Sequence, residues 1–73
     1  MNMREEKKAA TRRAISEATA ALLLEEGMAA ATVARVSERA GVSARTFHNY
    51  FADTDEALEE FLSKVFAAIA EQI

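Results

Sequence analysis

The chain has 73 residues and a formal net charge of −3 at pH 7, with no cysteine, no proline, two glycines and one histidine. That length admits one small domain (1–73), and the missing thiols and solitary imidazole exclude disulfides and Cys- or His-based metal clusters, so a helical core must stabilise it. The charge is uneven: residues 1–24 hold five Lys/Arg against three Glu, residues 25–52 three against three, and residues 53–73 one against six, so one end can face phosphate and the other cannot.

Residues 1–11 are charged rather than patterned as a secretion signal, and no apolar run nears the ~20 residues of a membrane span; a soluble cytoplasmic protein is expected. Residues 1–6 are expected to be a flexible tail. A first helix follows over about residues 7–26, because Ile15, Ala18 and the run Leu22, Leu23, Leu24 recur as one apolar face, while Arg12, Arg13, Glu17 and Glu25 lie elsewhere. Gly27 ends it, as a glycine just past the last periodic residue commonly does.

After a short connection over residues 28–31, Thr32 stands where an N-cap belongs and opens a second helix over about residues 33–40. Val33, Val36 and Ala40 share its inner face, which leaves Ala34, Arg35, Glu38 and Arg39 outside. Gly41 supplies the permissive backbone of a tight turn. Ser43 can then cap a third helix, about residues 44–51, in which Phe47 and Phe51 point inward and Arg45 and Asn49 point out. The outward pair is a guanidinium and a carboxamide, the groups that make bidentate bonds to guanine and adenine edges in the major groove.

Asp53 opens the last helix, with Glu56 at capping-box spacing. Leu58, Phe61, Leu62, Val65, Phe66, Ile69 and Ile73 form an apolar band longer than a three-helix head needs to cover. The expected fold is therefore all-α: a three-helix helix-turn-helix head of homeodomain-like type plus a fourth, connecting helix.

Several stretches carry a family resemblance: ThrArgArgAlaIle (11–15), Leu22, Leu23, Gly27, Thr32, Val33, AlaGlyValSer (40–43) and ThrPheHisAsnTyrPhe (46–51). Together they resemble the N-terminal domain of the tetracycline-repressor (TetR) family of transcriptional regulators, over about residues 11–62. The resemblance implies sequence-specific binding of double-stranded DNA. It places Thr32 on a phosphate at the start of the second helix; Ser43, Thr46, His48 and Tyr50 on the backbone around the third; and Ala44, Arg45 and Asn49 at the bases. His48 stands where the family usually has a tyrosine and brings a charge that depends on pH. Thr54, the remaining DNA-binding candidate, stands where a lysine usually opens the fourth helix and is flanked by Asp53 and Asp55, which should weaken phosphate binding.

Family members bind as homodimers through a larger C-terminal domain that also takes up a small ligand. That domain has no counterpart in these 73 residues, so the chain is expected to be the reading head alone, acting in the cytoplasm at the nucleoid. The competing reading is a helical protein-interaction module that uses the apolar band of the fourth helix. An enzyme is the weakest reading and no cofactor is expected, because no nucleophile with a base, paired carboxylates, metal-ligand spacing or phosphate loop is visible. The basic cluster of Arg4, Lys7, Lys8, Arg12 and Arg13 could reach phosphates or a minor groove, or could simply be solvated.

Overall fold

A computed structural model describes residues 3–72, and they form an all-helical structure: α1 (Met3–Glu26), a short 3₁₀ turn (Met28–Ala30), α2 (Val33–Ala40), α3 (Ala44–Tyr50) and α4 (Thr54–Glu71). Helix α1 packs against both α2 and α4, and α2 against α3. The helix starts follow local chemistry. Thr32 Oγ1 accepts from the Arg35 amide at 3.2 Å, Ser43 Oγ from the Thr46 amide at 3.1 Å, and Asp53 Oδ1 from the Glu56 amide at 2.9 Å. Each satisfies a backbone donor that the helix itself leaves unpaired. The return bond is donated by the Ala52 amide to Glu56 Oε2 at 3.3 Å, one residue before the cap, so the expected capping box closes on the preceding residue.

Helix α1 differs from the expectation at both ends. It begins at Met3 rather than Lys7, so residues 3–6, expected as tail, are helical, while Met1 and Asn2 lie outside the described residues. Glu5 and Glu6 in the first turn complement the positive end of the helix dipole, and no proline or glycine interrupts the chain there. At the other end Leu22 is buried, Leu23 half-buried and Leu24 83% exposed. Three consecutive residues sweep about 200° around a helix, so one apolar face cannot hold all three.

The core gathers three side chains from α1, Ile15, Ala18 and Leu22, and one from each other helix: Val36 of α2, Phe47 of α3 and Ala57 of α4, with Phe51 just beyond α3. Ala31, Val33, Ala40, Val42 and Tyr50 pack around it half-buried. Two buried hydroxyls on α1 satisfy themselves locally, Thr19 on the Ile15 carbonyl at 2.9 Å and Ser16 on the Arg13 carbonyl at 3.0 Å. Along α4 burial fades outward: Leu58 and Phe61 are half-buried, whereas Leu62, Val65, Phe66 and Ile69 are exposed. Ile73, expected to continue that band, lies outside the described residues.

Candidate nucleic-acid interface

The turn between α2 and α3 is set by one residue. Gly41 adopts a left-handed conformation (φ 73°, ψ 31°), and its amide donates to the Glu38 and Ser37 carbonyls; the Val42 amide then donates to the Ser37 carbonyl at 2.9 Å. These bonds close α2 with a Schellman-type stop, and the open space beside Gly41 leaves backbone conformation as the reason for glycine. Val42 tucks half-buried against the core, and the chain runs extended through Ser43 into α3.

Helix α3 is anchored from below. Phe47 is fully buried and Phe51 nearly so, their ring centroids 6.1 Å apart and tilted by 54°. Phe51 is extended rather than helical, so α3 ends one residue before the expected boundary, yet its amide still donates to the Phe47 carbonyl at 2.9 Å. With Phe47 inward, Ala44, Arg45, His48 and Asn49 form a continuous exposed strip, and Thr46 and Tyr50 lie half-buried on its flank. His48 sits edge-on to the Phe47 ring at 5.3 Å. Ser43, exposed, begins the strip; its hydroxyl donates to Thr46 Oγ1 at 3.1 Å. Thr32 is exposed at the start of α2. Thr54 is half-buried and apart from the strip, in a recess it shares with Thr19, Leu23, Met28, Ala31, Asp55 and Leu58.

The cations divide into those already paired and those open to a ligand. On α2, Arg35 forms a two-pronged bond with Glu26 (2.9 and 2.8 Å), and Arg39 does the same with Glu25 (3.0 and 2.6 Å). The bond from Arg39 holds the Glu25 carboxyl below its ordinary range, and the carboxylates of Glu26 and Glu25 raise Arg35 and Arg39 respectively. These clamps tie the end of α1 to the outer face of α2. Nothing in the local sequence announces them, since the partners are 9 and 14 residues apart.

Arg12, grouped by sequence with the basic cluster, is fixed instead. Its Nε donates to Glu60 Oε1 at 2.6 Å and its guanidinium lies 4.7 Å above the centre of the Phe51 ring. The cluster does not form one patch: Arg13 lines an apolar groove between α1 and α4, whereas Lys8 and Arg12 line a groove of about 510 Å³ with Thr46, Asn49 and Tyr50. Arg45 makes no ion pair among the described residues. The arrangement suits non-covalent recognition. Bond-forming hydroxyls and amides project from a short rigid helix, and His48 has no acidic or nucleophilic neighbour in hydrogen-bond contact among the described residues.

A family model described as bacterial regulatory proteins, tetR family, matches residues 15–61, which spans the core of α1, the turn, all of α2 and α3 and the first half of α4. No curated protein and no solved structure matches the chain.

Proposed function

The chain belongs to the tetR family of bacterial regulatory proteins and is the DNA-binding head of a transcription regulator, and we propose that it reads sequence by laying α3 in the major groove of double-stranded DNA. One observation carries this reading: Phe47 and Phe51 pin α3 from beneath, so Arg45 and Asn49 stand exposed on the opposite side with no competing partner among the described residues. A seven-residue helix is about 10 Å long and fits a groove about 12 Å wide.

In this reading Ala44, Arg45 and Asn49 meet base edges, Arg45 toward guanine and Asn49 toward adenine. Thr32, Ser43, Thr46, His48 and Tyr50 hold phosphates on either side and so fix the register. Thr54 contributes at the margin, beside Ala31 at the entrance to α2 and next to the carboxylate of Asp55. Regulators of this family act by binding DNA rather than by catalysis. Two copies acting as a homodimer would read two half-sites about 34 Å apart, one turn of the duplex. No helix among the described residues is long and apolar enough to cross a membrane.

The test is selection of preferred duplexes from a random pool at stated salt, beside a variant in which the exposed residues of α3 are shuffled around an unchanged Phe47. Enrichment of one motif by the native chain, lost in the shuffled one, is the expected result. Equal enrichment by both, or none by either, would remove sequence reading from this protein.

A further inference from the structure

This inference rests on the reading above, in which α3 faces a duplex. We propose that the groove between the start of α1 and the flank of α3 is a phosphate cradle, which holds one backbone phosphodiester of the DNA with Lys8 as its charge and Thr46 and Tyr50 as its hydroxyl donors.

The five residues that line the groove are Lys8, Arg12, Thr46, Asn49 and Tyr50. None is a carboxylate, although the whole chain carries 12 Asp and Glu against nine Lys and Arg. Lys8 and Arg12 are one helical turn apart and so share a face of α1; Thr46, Asn49 and Tyr50 share a face of α3 by the same spacing. The groove is therefore walled by two helices rather than built on one end of either.

The two cations play different parts. Arg12 is held by Glu60 and by the Phe51 ring, so its charge is largely matched within the fold and its side chain serves as a wall. Lys8 is exposed and makes no ion pair among the described residues, so its ammonium is available to an incoming anion. Both hydroxyls can donate. Thr46 Oγ1 already accepts from Ser43, which leaves its own proton free, and the Tyr50 hydroxyl has no partner among the described residues while its ring is steadied against the core.

Asn49 belongs both to this groove and to the outward strip. A phosphate seated here would fix the distance between the backbone and the carboxamide that reads the base, which makes the cradle a register device rather than a general attraction. The neighbouring groove, between α1 and α4, differs in kind. It is lined by Arg13, Ser16, Glu17, Phe61, Lys64, Val65 and Ala68, mixing a carboxylate with mostly apolar surface. Lys64 thus provides a cation of equal charge on the wrong side.

The experiment compares the native chain with Lys8→Gln and Lys64→Gln, measuring affinity for the duplex enriched from the random pool across a range of salt. Each phosphate neutralised contributes about 0.9 to the slope of log K against log salt. Lys8→Gln is expected to flatten the slope by about 0.9 while the preferred sequence stays the same, and Lys64→Gln to leave the slope unchanged. Tyr50→Phe, which keeps the ring, should weaken all sequences by a similar factor. An unchanged slope in Lys8→Gln, or equal flattening in both lysine variants, overturns the cradle while leaving DNA reading intact. Failure of the native chain to bind any duplex would instead remove the premise, and the cradle with it.

Discussion

Replacing Arg45 by alanine isolates base reading from folding. The side chain is exposed, forms no ion pair among the described residues and lies outside the core, and alanine is at least as good a helix former as arginine. Any change in DNA binding therefore reports a lost contact rather than a lost helix. A bidentate arginine contributes about 1–3 kcal/mol of discrimination, so preference at its base pair should fall roughly 5- to 150-fold. Asn49 stands four residues further on, about 6 Å along the helix axis, which is roughly two base-pair steps. Arg45→Ala and Asn49→Ala should accordingly erase preference at different positions, about two steps apart. Anisotropy titrations against every single-base variant of the enriched duplex, at one fixed salt, measure both. The salt slope provides an internal check, because a base contact leaves it unchanged whereas a phosphate contact lowers it. An Arg45→Ala protein that keeps its preference at every position, or loses affinity evenly with a flattened slope, would show that Arg45 holds backbone and reads nothing.

Three further outcomes follow from the geometry. Thr32→Ala should weaken binding to all duplexes alike and lower stability by about 1 kcal/mol through loss of the α2 cap, as read by titration and thermal melting; a selective effect on one base pair would contradict it. Phe47→Ala should cost about 3–5 kcal/mol, against a total of roughly 4–11 kcal/mol for a chain of 73 residues. The helical signal should then melt more than about 10 °C lower, and a melt within a few degrees of native would mean the ring is not the anchor of α3. Arg39 holds Glu25 below its ordinary value, so the clamp contributes above the unfolded carboxylate value of 4.5 and is lost as pH falls through the lower folded one. Glu25→Gln should thus flatten the acid limb of the stability curve slightly, since the pair is exposed, and a steeper limb in the variant would reverse the sign of the argument.

The legible parts of the fold were those decided by neighbours in sequence. Thr32, Ser43 and Asp53 announce helix starts because a cap acts within three residues, and Gly41 announces the turn because a left-handed backbone favours glycine. The inward set of Val36, Phe47 and Phe51 followed from helical spacing. Helix α1 starts four residues before its expected boundary because the charged run over residues 4–8 has no apolar periodicity and so reads as a solvated tail, and Leu24 falls outside the core because a run of leucines says nothing about which of them meets it. The Glu26–Arg35, Glu25–Arg39 and Arg12–Glu60 pairs depend on how α1 crosses α2 and α4, an angle that no local pattern encodes. For the same reason Arg13 lines the groove against α4 while its sequence neighbours Lys8 and Arg12 line the groove against α3.

If Thr32 holds a phosphate as proposed, its hydroxyl answers to two demands with different parts of one group. Its oxygen accepts from the Arg35 amide, which leaves its proton available to donate. Aspartate satisfies the first demand at least as well, since it is a strong N-cap whose charge suits the positive end of a helix. It fails the second completely, because it offers no proton and confronts a phosphate with like charge. Thr32→Asp should therefore give a protein that melts higher and yet is pushed away from the duplex, a sturdier head that no longer holds on.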